Sequence, residues 1–203
     1  TYLSWFELNQ NNHTISSFRL GKSNNTSNVY LNSSLTTAGP ISAYGAYVGV
    51  SGNITSTAND DIFIKGTGGW NDVEVSSAIT KTAGTGTLTI QSNGRANFSG
   101  AVTATGSALL NVVLWSDYDG DNGDGGATFS GPVSTNGGHV WMGGSNSNGG
   151  SYTWNGLTVG DGPSVGGSNA NALDFFNSVT TNGGDVFVWA GNGNGGTNGI
   201  ASN

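Results

Sequence analysis

The sequence predicts an all-β fold of stacked coils, a parallel β-solenoid. Three observations carry that prediction: a short apolar–polar–apolar signature that recurs along the chain, two kinds of strand interleaved between its copies, and a composition rich in turn-forming residues. The signature places an apolar residue, a few small polar residues and a second apolar residue at Leu31/Leu35, Val50/Ile54, Val75/Ile79, Phe98/Val102, Phe129/Val133, Trp154/Leu157 and Phe175/Val179. Its copies lie 19 to 31 residues apart, with a mean period of about 24. Units of that length bury their apolar face only by stacking on their neighbours, so the repeat itself predicts a coil.

Each signature is entered by a strand with alternate apolar positions, as in Val29/Leu31, Val48/Val50, Val73/Val75, Tyr152/Trp154 and Leu173/Phe175. A second strand type lies between signatures, at 62–64, 88–90, 112–114, 140–142 and 186–188, with 157–159 as a shortened copy. One strand of each type per turn stacks equivalent strands about 4.8 Å apart and closes backbone hydrogen bonds between coils. Alternation fixes the inward side chains. Ile62 and Ile64 point inward, because the opposite parity would bury Asp61 and Lys65 without partners. The Gly-Gly turns, such as Gly183-Gly184, supply positive φ where the coil bends.

Glycine supplies 36 of 203 residues, against about 7 % in an average protein, and charged residues only 8 % against about 25 %. A helical enzyme core does not follow from such a composition. Intrinsic disorder does not either, because 34 % of the residues are hydrophobic and alternate in short runs. All five Lys and Arg residues lie at or before Arg95, and the net charge of −7 belongs to the second half of the chain. An acidic surface without cations argues against nucleic acid and anionic lipid as partners. No apolar stretch reaches the 18 or so residues of a membrane span, so no membrane insertion is expected. The chain starts and stops in mid-pattern, which predicts one β-helical segment, 1–203, of a longer repetitive protein, with 1–27 less regular.

The closest internal match aligns 133–142 with 179–188, both carrying Thr-Asn-Gly-Gly before a strand. Together with 85–90, 108–114 and the Asp/Gly stretch that follows, these segments resemble the repeats of filamentous-haemagglutinin-like proteins and other giant bacterial surface adhesins. The resemblance spans residues 28–196. It implies a right-handed parallel β-helix of about eight rungs, export through outer-membrane secretion machinery by the two-partner or type IX route, and a place outside the bacterial cell. The expected function is a non-catalytic stalk and contact surface for attachment or surface motility, with glycans or other surfaces as targets. The alternative is a β-helical polysaccharide lyase or glycosidase.

Two features are candidate sites. Asp117, Asp119, Asp121 and Asp124 space carboxylates along a flexible loop in the way that wraps oxygen ligands round Ca²⁺, although Asn122 and Thr128 stand where an EF-hand needs Gly and Glu. A solvated acidic turn is the competing reading, and no cofactor is required. The outward positions Val113, Trp115, Trp141, Phe187 and Trp189 form an aromatic stripe for stacking sugars or docking protein, unless a neighbouring loop covers them.

The remaining chemistry is expected to be structural. His13 and His139 are the only histidines, and His139 aligns with Asn111 and Asp185 as a polar strand entry. Asp60/Asp61 and Asp72/Glu74 have the spacing of random surface pairs rather than of a glycosidase acid and base. Gly191 to Gly196 matches a dinucleotide pattern but precedes no helix.

Overall fold

A computed structural model describes residues 15–121, 125–166, 172–191 and 200–202. The described residues contain no helix and form a parallel β-helix of three sheets. The first sheet stacks seven strands, Val29–Leu31, Val48–Val50, Asn71–Val75, Arg95–Phe98, Gly126–Phe129, Leu173–Phe175 and Ile200–Ser202. The second stacks Leu35–Thr37, Ile54–Ser56, Ile79–Lys81, Val102–Ala104, Val133–Ser134 and Val179–Thr180. The third runs from Phe18–Leu20 through Ile41–Gly45, Ile62–Gly66, Thr85–Ser92, Leu109–Trp115 and Val140–Gly143 to Val186–Val188. Every neighbouring pair within these sheets is parallel, as in Val48↔Val73 and Ile62↔Leu88, and the register shifts between Arg95 and Ala96 where they pair with Asn71–Val75.

The signature is the corner between the first and second sheets. Its leading residue ends one strand and its closing residue begins the next, so Val50 and Ile54 lie on two walls of the same coil. Stacking at this corner is close. A Cβ added at Gly100 would lie 1.8 Å from the carbonyl oxygen of Ser77 on the neighbouring coil, and the Gly100 amide donates to Val75 O at 3.2 Å. Where serine occupies that slot, as at Ser77, its Oγ donates to Gly52 O at 2.7 Å.

Three aliphatic walls fill the interior. Ile41, Ile62, Leu88, Val112 and Val140 form one column, Val48, Val73, Ala96 and Ala127 another, and Leu35, Ile54, Ile79, Val102 and Val133 a third, all buried. Each large aliphatic member contributes about 1.5–3 kcal/mol on burial. Phe98 and Phe129 stack within the same core at 5.5 Å between ring centroids.

Two expectations need correction. The Trp154/Leu157 copy of the signature is not a coil, and the larger sheets hold seven strands each among the described residues. Ser151–Trp154 and Leu157–Gly160 pair antiparallel as a hairpin, and Val140 pairs directly with Val186 across the excursion. Asn155 and Gly156 form its two-residue turn with φ of 46° and 77°, the left-handed pair that matches strand twist in a hairpin. The second correction is the third wall. Its strands of two or three residues follow each signature, whereas the sequence predicts two strand types per turn.

Candidate functional site

The expected aromatic stripe is on the outer face of the third sheet, where register aligns Val113↔Trp141↔Phe187. It is not an open surface. Val113, Trp115 and Trp141 are buried, because the hairpin folds back and lays Leu157 and Val159 on them. Phe187 and Trp189 remain half-buried at the margin, with rings 6.1 Å apart. The indole N–H of Trp115 donates to Ser145 Oγ at 2.6 Å, whereas that of Trp141 has no hydrogen-bond partner among the described residues.

The hairpin is tied down at both ends. At its base, Gly144 and Gly162 exchange backbone hydrogen bonds of 2.9 and 3.2 Å, and the Asn146 amide donates to Asp161 Oδ1 at 2.9 Å. At its tip, Asn155 Nδ2 reaches Asp185 Oδ2 at 2.7 Å, while the Asp185 amide donates to His139 Nδ1 at 3.0 Å. Trp154 packs edge-on against the His139 ring at 5.6 Å. His139 is therefore part of the clasp on a covering element, with the Asp185 amide as its donor.

Beside the hairpin, Asp117, Asp119 and Asp121 come together with one carboxylate oxygen from each within 4.8 Å of the others. Asp117 is fully buried with φ of 57°, and its carbonyl accepts from the Ser145 amide at 3.1 Å. Burial, with the Asp121 charge next, pushes the Asp119 carboxyl above its ordinary value. Three hard oxygen donors suit Ca²⁺ or Mg²⁺ rather than a soft metal. Asp124 and His13 lie outside the described residues. Between the acidic loop and the aromatics is Tyr118, with its ring 4.9 Å from Trp115 and Lys65 Nζ 3.5 Å over its face.

Asp61, Asp72 and Glu74, the carboxylates paired along the sequence, are each held by a separate hydrogen bond, and the charge of Asp72 also reaches Asp119. Asp72 is buried and accepts from the amides of Trp70 at 3.1 Å and Gly94 at 2.8 Å, a turn-closing role. Glu74 is exposed and accepts from Tyr47 Oη at 2.7 Å. Asp61 accepts from the Thr87 amide at 2.7 Å, and Arg95 faces Asp174 at 4.0 Å rather than an open cleft.

Composition and spacing did not point to Tyr118, Ser145 or Asn155. The Asn-Gly pair between alternating apolar residues was the available signal for the hairpin, and hence for the cover over the tryptophans. Comparison with family models, curated proteins and solved structures finds no match to this chain.

Proposed function

We propose that this chain is a non-catalytic structural and adhesive segment of a large exported bacterial surface protein, a stiff spacer whose outer faces make contacts. The observation that carries the reading is the unbroken parallel stack. Among the described residues, successive coils hydrogen-bond to one another along three walls, and each wall turns an aliphatic column inward. Such a stack transmits load from coil to coil without disulfides, and the chain has no cysteine. The commitment of Asp61, Asp72 and Glu74 to hydrogen bonds with amides and a phenol, and of Arg95 to Asp174, favours this reading over a polysaccharide-cleaving enzyme. Export by a two-partner or type IX route, and gliding or host attachment as its use, follow from the resemblance of the repeats. On the same reading, the Asp117–Asp119–Asp121 cluster is a Ca²⁺ staple for the corner that carries the hairpin.

The test couples attachment to turnover. Beads coated with the 203-residue chain should adhere to bacterial or host-cell surfaces above beads coated with an unrelated β-helix, and the chain should release no new sugar ends from a polysaccharide panel. Multiple-turnover release of sugar ends would replace the adhesive reading with the enzymatic one.

A further inference from the structure

At the tip of the hairpin, three polar groups meet round one ring nitrogen. A backbone N–H only donates, so the Asp185 amide, 3.0 Å from His139 Nδ1, requires that nitrogen to be a bare acceptor with the ring hydrogen on Nε2. Asn155 Nδ2 approaches the same nitrogen at 3.2 Å and donates to Asp185 Oδ2 at 2.7 Å. Both polar links of the tip therefore suit a neutral imidazole. The coil below offers His139 only Asn111, whose Oδ1 accepts from the His139 amide at 2.9 Å, and the hairpin adds the Trp154 ring at 5.6 Å. Of these groups Asp185 alone carries a charge.

Protonation of His139 puts a hydrogen on Nδ1, where it faces the Asp185 N–H and the Asn155 side-chain amide as a third donor. The counterweight is Asp185 Oδ2, 3.6 Å from Nδ1. An oxygen that turns to the imidazolium turns away from Asn155, so the ion pair forms at the expense of the shortest link to the tip. Closure is also opposed from within. The Trp141 indole N–H is buried with no hydrogen-bond partner among the described residues, and water satisfies it once the cover lifts. Burial of Leu157 and Val159, together with the clasp, holds the cover against that cost.

We infer that the hairpin is a proton-operated cover: it closes over Val113, Trp115 and Trp141 while His139 is neutral and lifts when His139 charges, presenting an apolar aromatic face in mildly acidic surroundings. Histidine is the side chain whose ordinary titration falls between about pH 5 and 8. The hinge is the base, where the backbone hydrogen bonds between Gly144 and Gly162 survive a swing of the tip. Asp119, near the foot of the hairpin, also gains a proton in mild acid, since burial and then Asp121 push its carboxyl up, and a variant separates the two groups. The device belongs to the fold and does not depend on what the outer faces attach to.

Hydrogen exchange of the Trp141 indole N–H, followed by NMR in the full chain, reads the opening. His139→Asn keeps an acceptor oxygen near the place of Nδ1 and cannot charge. From about pH 7.5 to about pH 5.5, native exchange should quicken relative to this variant by about three- to tenfold, the weight of one or two hydrogen bonds. A dye for exposed apolar surface should bind in step, the far-ultraviolet β signal should hold, and Asp119→Asn should keep the native response. Asn155→Gly suits the left-handed turn and removes the tip's links without touching the coil. It should exchange faster than the native chain at neutral pH, and the two rates should converge in acid. The same response to pH in His139→Asn as in the native chain would overturn the inference. So would slower native exchange in acid, a constant ratio between Asn155→Gly and native rates, or loss of the β signal.

Discussion

Lys81 Nζ lies 3.0 Å from Ser56 Oγ on the neighbouring coil, inside the cylinder. The same ammonium donates to the carbonyls of Ala58 and Asp60, so its three protons meet three acceptors at a corner where Thr37, Ser56 and Lys81 stack in register. The outward turn of Asp60 and Asp61 beside it supplies compensating charge.

Lys81→Met should therefore destabilise the coil. It keeps the aliphatic stem but leaves two carbonyls and a hydroxyl without their donor, a loss of at least about 3 kcal/mol at about 1–3 kcal/mol per orphan. Urea unfolding at neutral pH measures it. Burial lowers the Lys81 pKa below its ordinary value, so the unfolded chain holds this proton more tightly than the folded one. The stability of the native protein relative to Lys81→Met should then rise with pH through the window from the folded value to the ordinary one near 10.5.

Asp119 has the opposite sense. Its carboxyl is raised, so the folded chain binds the proton more tightly, and its contribution is best at low pH and lost as pH climbs above the ordinary carboxylate value. Asp119→Asn should melt higher than the native protein at neutral pH and equal to it near pH 3, where both forms are neutral. Millimolar Ca²⁺ should raise the native melting temperature at neutral pH and leave the variant unmoved. An unchanged native melt in Ca²⁺ would remove the cation reading.

Excising the hairpin should uncover the tryptophans without unwinding the rod. A variant with 151–160 replaced by a short Gly-Ser link loses Leu157 and Val159 from the cover over Val113, Trp115 and Trp141. Tryptophan emission should shift to the red and a dye that reports exposed apolar surface should bind, while the far-ultraviolet β signal stays. Loss of that signal would make the hairpin part of the scaffold instead of a cover.

Gly184→Val should cost about 1–3 kcal/mol, since a Cβ there would lie 2.1 Å from the Gly138 carbonyl oxygen one coil away. Thermal melting beside Gly156→Asn, at a turn tip with open space around it and a left-handed backbone that asparagine tolerates, separates the clash from general glycine loss.

The coil was legible because its physics is local. Parity alone put Ile62, Ile64, Leu88 and Ile90 inward, and they are buried in the core. The third wall escaped because strands of two or three residues, such as Val133–Ser134, are too short for alternation to declare itself. Tyr152, Trp154, Leu157 and Val159 alternate as a coil strand would, so the hairpin reads as a rung, although its Trp154/Leu157 spacing is one residue shorter than every other copy. Alternation puts Lys81 on the inward face with Ile79, two residues before it, but a lysine there reads as the solvated end of a strand.

The corner between the first and second sheets keeps a constant four-residue step in all six coils that use it, from Leu31/Leu35 to Phe175/Val179. The corner entering the first sheet is elastic, from the short link after Gly45 to the long one after Gly143 that holds the hairpin. Insertions along one edge therefore leave the hydrogen-bonding frame untouched. Such an edge is a place where lineages can graft new loops, and where a protein engineer can splice a foreign epitope into the fibre without retuning its interior.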